Sequence, residues 1–213
     1  MSLTHFWLIR HGETQWNAER RLQGWQDIPL NTTGLNQAKQ LANYLSSPQF
    51  ATKVTAVVSS DLSRAADTAR IATQHLNLPI QLTPGLRERS FGQLEGMHWD
   101  AIQSARRGDP AYAPLPEAKG ESRAVFQGRL ISVFEELARE HAGGHILTFS
   151  HGGVIDMMWR KLHGVALDVP RNQAILNTSI NHFTINAQQE WAMVEWGRVT
   201  HLPGSHVTLD DVG

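Results

Sequence analysis

Arg10, His11 and Gly12 follow directly on an apolar run, Phe6 to Ile9, and that order of residue types has chemical content. An arginine presents a planar fork of donors that suits a phosphoryl group, and a histidine offers a ring nitrogen that can attack or bind. A glycine removes a side chain, so backbone N–H groups can approach an anion. Asn17 adds an amide nearby, and Gln23-Gly24-Trp25, Asp27, Pro29-Leu30 and Gly34 follow. Other reactive types come much later: Arg64, the carboxylates Glu88 and Glu95, and His151 in Ser150-His151-Gly152-Gly153. If the fold gathers them, the chemistry is transfer of an anionic group to nitrogen, with a carboxyl group moving the proton.

Gathering them requires strands that end together. Phe6 to Ile9 reads as a buried strand that delivers polar groups at its C-terminal end. Leu35, Ala38, Leu41, Ala42 and Leu45 recur at helical spacing with Thr32 or Thr33 as the cap, and Val54 to Val58 reads as a second buried strand. Ser60 or Asp61 then caps a helix whose first turns carry Arg64. Ile80 to Leu82 is a short strand, Trp99 to Arg106 a short helix, and Val125, Phe126, Leu130, Val133, Phe134 and Leu137 give a longer helix its buried face. His145 to Phe149 is a further strand, leading to His151 at a helix N-terminus, where anions are favoured. Ile180 to Ile185 and Trp191 to Trp196 read as an antiparallel hairpin, and the stretch past Pro203 as loose. The expected fold is α/β, a three-layer α/β/α sandwich with a mostly parallel central sheet and an antiparallel edge. Three strand ends would then bring Arg10-His11, Arg64 and His151 to one C-terminal edge, the usual ligand position in such sheets.

Leu8-Ile9-Arg10-His11-Gly12-Glu13-Thr14, with Asn17, Gln23-Gly24-Trp25, Asp27, Pro29-Leu30 and Gly34, resembles the opening of the histidine phosphatase superfamily, which includes the cofactor-dependent phosphoglycerate mutases. Ser59-Ser60-Asp61-Leu62 with Arg64-Ala65 and Thr68-Ala69 is similar to its second motif, Gly120-Glu121-Ser122 to a helix entry, and Ser150-His151-Gly152-Gly153 to its last motif. The resemblance implies a single domain over residues 1–213 in which His11 becomes phosphorylated and Arg64 grips the phosphoryl oxygens opposite Arg10. It implies His151 as the second imidazole and Glu88 as proton donor, with Glu95 structural. Asn17, Gln23, Gly24, Arg89 and Gly152 would contact substrate, and a segment around 91–121 would cover the pocket and select it. The free nitrogen of His11 requires its other nitrogen to donate to a backbone carbonyl or similar acceptor. Gln23-Gly24, Ser90-Phe91-Gly92 and His151-Gly152-Gly153 depart from the mutase pattern and favour a phosphatase. Arg89, with Arg106 or Arg107, points the other way, toward a second anionic group and a mutase. A binding protein that has lost turnover is the third reading; retention of His11, both arginines and Glu88 speaks against it.

Composition narrows the classes. The 213 residues suffice for one sizeable core, with 41% hydrophobic residues, 18% charged residues and a formal net charge of −1. That charge argues against nucleic-acid binding, which needs a basic surface. The sequence contains no Cys, so disulfides and thiol chemistry are excluded. No stretch reads as a leader or approaches the roughly 18 apolar residues of a membrane span, so a cytoplasmic protein with no membrane partner is expected. No metal or organic cofactor is called for. The expected partner is a small phosphorylated substrate, and a homodimer stays open.

Overall fold

Strand β1 (Leu3–Arg10) lies inside the sheet, and its side chains alternate between two cores. Phe6 and Leu8 enter one, Trp7 and Ile9 the other. Both faces of the strand are thereby buried, which explains why the sequence there is an unbroken apolar run. The computed structural model describes residues 2–171 and 174–202, so the stretch past Pro203 lies outside the described residues.

The chain continues through a single helical turn, α1 (Gln15–Ala18), into α2 (Thr32–Leu45), β2 (Ala56–Ser60), α3 (Ser63–Thr73) and β3 (Ile80–Thr83). Short 3-10 turns lead to α4 (Trp99–Arg106), and then come α5 (Arg123–Glu140), β4 (His145–Ser150), α6 (Gly152–His163) and the hairpin β5 (Ile180–Asn186) and β6 (Trp191–Arg198). Among the described residues the strands form one sheet in the order β3-β2-β4-β1-β5-β6. The first four are mutually parallel, whereas β5 runs antiparallel to β1 and β6 antiparallel to β5. The α/β sandwich with an antiparallel edge is therefore the observed fold.

Helices α2 and α3 cover one face through Leu41, Leu45, Ala69 and Ala72, and helices α5 and α6 cover the other through Phe126, Leu130, Phe134, Val154 and Met158. Phe6 lies edge-on to Phe134 at 5.3 Å and stacks on Phe183 at 5.2 Å. The neighbouring strands β1 and β4 thus send their following helices to opposite faces, and a crevice opens at their C-terminal ends, where Arg10 pairs in register with Ser150. Leu22, Phe91, Leu94, Trp99 and Ile102 form a separate small cluster beside that crevice.

Local details correct three expectations. Asn31, not Thr32 or Thr33, caps α2, its Oδ1 accepting from Gly34 N at 2.8 Å. The second strand is shifted to Ala56–Ser60, since Ala56 to Ser59 pair with Ile146 to Phe149. Neither Ser60 nor Asp61 caps α3; its N-cap is Leu62 with no side-chain bond, and Asp27 Oδ1 accepts from Ser63 N at 2.7 Å instead. Asp61 is engaged by Arg87 through two bonds of 2.7 and 2.6 Å.

Three histidines meet on adjacent strands away from the crevice. His5 Nδ1 lies 3.0 Å from His182 Nε2, His5 stacks on His145 at 4.3 Å, and Trp7 stacks on His182 at 3.8 Å. Burial first, then His5, His145 and Arg198, lowers the His182 pKa from 6.5 to about 4. Between those values the unfolded chain binds the proton and the folded one does not, so this residue's contribution is intact above 6.5 and is lost as pH falls. In thermal melts the loss of Tm on going from pH 7 to pH 5 should be smaller in His182→Gln than in the unaltered protein, by roughly 2–4 °C for each kcal/mol of linkage removed. Equal losses would show that His182 carries none of the acid sensitivity.

Candidate active site

The end of β1 places Arg10 and His11 at the crevice with 2% and 3% of their surfaces exposed. His11 Nδ1 lies 2.7 Å from the carbonyl oxygen of Gly12. A carbonyl only accepts, so Nδ1 carries the proton and Nε2 carries the lone pair, as the sequence reading required. Burial, then the guanidinium groups of Arg64 and Arg10, holds His11 well below its ordinary pKa, with the Gly12 bond opposing them. The ring is therefore a neutral imidazole with its lone pair on a defined edge.

Segment 175–179 holds this strand end from behind. Arg10 Nη1 donates to Ile175 O, Thr178 N to Arg10 O at 3.1 Å, and Asn177 Nδ2 to His11 O at 3.0 Å. Thr178 adopts φ of +56°, rare for a β-branched residue, and is fully buried. Asn177-Thr178-Ser179 directly precede β5, and sequence patterning alone assigns them no part in the site. A polar run before a buried strand was the available signal.

Arg64 arrives from α3 with 1% exposure; Nη1 donates to Gln26 O and Nη2 to Gly24 O, each at 2.8 Å. His151, the N-cap of α6, is fully buried and packs edge-on to His11 with ring centroids 5.2 Å apart. Its Nε2 lies 2.8 Å from Ser60 Oγ, whereas the buried Nδ1 has no hydrogen-bond partner among the described residues. Burial, followed by Arg64, His11 and Arg10, keeps its pKa well below the usual value.

Glu88 faces this group across the same cavity, whose wall includes Arg10, His11, Gln23, Gly24, Arg64, Arg89 and Gly152. Its Oε1 accepts from Arg89 N at 2.7 Å and its Oε2 from Gly153 N at 2.8 Å. The backbone around it is fixed by Arg129, which donates to Gly85 O at 2.7 Å and to Arg87 O and Glu88 O at 3.2 Å, and by Ser150 Oγ, which donates to Leu86 O at 2.8 Å. Glu95 serves the backbone, accepting from Trp25 N at 3.1 Å and Phe91 N at 3.0 Å. A Cβ on Gly153 would lie 2.1 Å from Glu88 Oε1, so glycine is required there for the carboxylate to occupy its place.

Two site expectations take a different form. Asn17 is not on the cavity wall; its Oδ1 lies 3.0 Å from both Thr14 N and Thr14 Oγ1, closing the capping box of α1. Gly12 does not present its N–H to the cavity, because that group donates to Thr68 Oγ1 at 3.0 Å. Its lack of a side chain serves packing instead: a Cβ would lie 2.6 Å from Gly34 O. His151 likewise packs on His11 without reaching the cavity surface. Arg123, Asp156 and Arg171 do line the cavity and were not anticipated. Arg123 and Asp156 sit on helices whose sequence shows only amphipathic periodicity. Among the described residues no group of three or more His, Cys, Asp or Glu is arranged to hold a metal, and no helix is long and apolar enough to cross a membrane.

This arrangement has known counterparts. Phosphoglycerate mutase-like protein 4 of Arabidopsis thaliana is 35% identical over 204 residues, covering 92% of this chain and 85% of that protein. The metal-independent phosphoserine phosphatase of the same plant is 32% identical over 209 residues, covering 94% and 84%. Among solved structures, Bacillus stearothermophilus YhfR superposes with a TM-score of 0.77 at 30% identity, covering 93% of this chain and 98% of that one. The family model described as histidine phosphatase superfamily (branch 1) matches residues 6–199. Because that match takes in well over half of the polypeptide, the chain belongs to the histidine phosphatase superfamily.

Proposed function

We propose that the protein is a metal-independent phosphomonoesterase that cleaves a small phosphorylated metabolite through a phosphohistidine on His11. The observation that carries this reading is the neutral His11 ring, its Nδ1 proton tied to Gly12 O, on a cavity wall that also holds the guanidinium groups of Arg10 and Arg64 and the carboxyl group of Glu88. In the first step the Nε2 lone pair forms the N–P bond as the P–O bond to the leaving alcohol breaks, and protonated Glu88 gives its proton to the departing oxygen. Arg10 and Arg64 stabilise the charge on the equatorial oxygens, and the imidazolium character that develops on His11 is met by Gly12 O. His151 supports the His11 ring by packing edge-on against it. In the second step a water oxygen attacks phosphorus, the N–P bond breaks, and Glu88 takes the water proton. Gln23, Gly24, Arg89 and Gly152 contact substrate on the wall, while residues 91–121 select the leaving group.

The named relatives support a phosphoryl-transfer reading without choosing its outcome, since one is called a phosphoserine phosphatase and another phosphoglycerate mutase-like. Arg89 on the cavity wall is the observation that favours a mutase. Phosphate release measured beside interconversion of 2- and 3-phosphoglycerate, with and without 2,3-bisphosphoglycerate, separates the two. Release without interconversion is expected.

Replacement of His11 by Ala should abolish phosphate release and leave no acid-labile phosphoenzyme after mixing with substrate; residual phosphoenzyme would remove His11 from its role. Glu88→Gln should slow an alkyl phosphate by about 10²–10⁴-fold. It should slow p-nitrophenyl phosphate, whose leaving group needs less protonation, clearly less. Equal slowing of both substrates would contradict proton donation by Glu88. Gly153→Ala should push Glu88 aside and lower kcat by roughly 10²-fold, with inorganic phosphate still competing at nearly unchanged affinity. Unchanged kcat would show that Glu88 need not stand where Gly153 allows it.

A further inference from the structure

The turn that follows β6 comes back to the crevice. Ile180 pairs with Ile9 on one side and with Arg198 on the other, so the chain leaves β6 at the sheet edge that carries Arg10 and His11. Leu202 N then donates to Val199 O at 2.9 Å, and the turn closed by that bond contains His201. His201 Nε2 lies 3.1 Å from Thr178 Oγ1. The ring also packs on Tyr44 of α2, tilted by 35° with centroids 5.7 Å apart, and Arg198 Nη1 donates to the Tyr44 hydroxyl. Its other nitrogen, Nδ1, is buried with no hydrogen-bond partner among the described residues, so the polar contact of this imidazole is the one to Thr178.

Thr178 depends on that contact. It is fully buried, and no other group among the described residues bonds its hydroxyl. Its φ of +56° is one that a β-branched residue keeps only where its surroundings impose it. On the main-chain side, Thr178 N donates to Arg10 O at 3.1 Å and lies 3.4 Å from His11 O. On the side-chain side there is His201. A buried hydroxyl that loses its partner favours rearrangement, and relaxing the left-handed turn would carry the Thr178 N–H away from the carbonyl oxygens of Arg10 and His11. A misplacement of about 1 Å at a reacting group can cost roughly 10²-fold in rate. Burial lowers the His201 pKa from 6.5 to about 4, against the main chain of Thr178, which raises it. At pH 7 the ring is therefore neutral, able to donate or accept at Nε2.

We infer that His201 is a positioning residue for His11: through its bond to Thr178 it keeps the loop after β1 in the geometry from which the His11 lone pair attacks. The inference rests on His11 being the nucleophile. His201 is not on the cavity wall, so its part in the reaction runs through Thr178 and the carbonyl oxygens that Thr178 holds.

The test uses the full chain and p-nitrophenyl phosphate, well below the Tm of each variant so that folded enzymes are compared. His201→Met keeps the length of the side chain and removes its hydrogen bond, whereas His201→Gln keeps an amide near the place of Nε2. His201→Met should lower kcat about tenfold. The inhibition constant of inorganic phosphate should change by about twofold or less. His201→Gln should stay within about threefold of the unaltered kcat. Thr178→Val cuts the same bond from the other side; it should cost about as much as His201→Met, and the double variant little more than either. Unchanged kcat in His201→Met, a His201→Gln variant as slow as His201→Met, a loss of phosphate affinity as large as the loss of kcat, or losses that multiply in the double variant each overturn the inference. Should His201→Met fail to fold, Thr178→Val decides, a loss of about tenfold supporting the inference and full kcat overturning it. Amide hydrogen exchange over residues 8–14 reports the hold apart from the chemistry, and it should be faster in His201→Met but not in His201→Gln. If the unaltered protein turns over no substrate, the catalytic reading falls, and that difference in exchange alone supports or overturns the hold of His201 on the loop. Turnover by the unaltered protein with full kcat in His201→Met leaves the catalytic reading standing and overturns this one.

Discussion

Positive charge buried without water is the constraint around which this site is built. Arg10 and Arg64 are almost wholly enclosed, and two imidazoles sit within their field. A protonated ring there would face two like charges in a poorly screened environment, so both histidines stay neutral. Burial and the same two guanidinium groups thus act together in holding the His11 ring neutral at the cavity. Carbonyl groups help to orient both arginines, Ile175 O accepting from Arg10 and Gly24 O and Gln26 O from Arg64.

Close approach of backbone to backbone transmits that arrangement to the rest of the fold. Gly12 lies against Gly34 at the entry to α2, and Gly153 lies against Glu88 at the entry to α6. Helices on opposite faces of the sheet are thus fitted closely to two sides of one cavity, the loop of His11 and the carboxyl group of Glu88. The segment before β5 adds a third hold through Asn177 and Thr178, and the left-handed conformation of Thr178 is a local strain that three hydrogen bonds to β1 and its loop help to maintain.

Much of this was legible in the residues, and the part that was not has a physical pattern. The unbroken apolar run Phe6 to Ile9 marked the middle of β1, and the short helix read over Trp99 to Arg106 is α4 with the range observed. Glu88 could be separated from Glu95 only by motif order, and the structure puts Glu88 on the cavity wall and Glu95 on backbone amides. Caps were misread because the choice among Asn31, Thr32 and Thr33, all competent cap residues, depends on where the preceding loop leaves the chain. The Asn17 oxygen also has a local role that motif order does not reveal, accepting from Thr14 to close the cap of a one-turn helix. Arg123 and Asn177 escaped notice because their partners lie far away in sequence, where periodicity carries no information.

The grip of Arg64 on the 24–26 turn bears on how such a pocket diversifies. Two of the oxygens that the guanidinium holds belong to the main chain, so exchanging the side chains of Trp25 and Gln26 leaves those two bonds in place. Trp25, 41% exposed and lying under Arg87 at 5.0 Å, stands on the outer side of that turn. The rim can therefore change its side chains while the backbone turn that helps to seat Arg64 keeps its course.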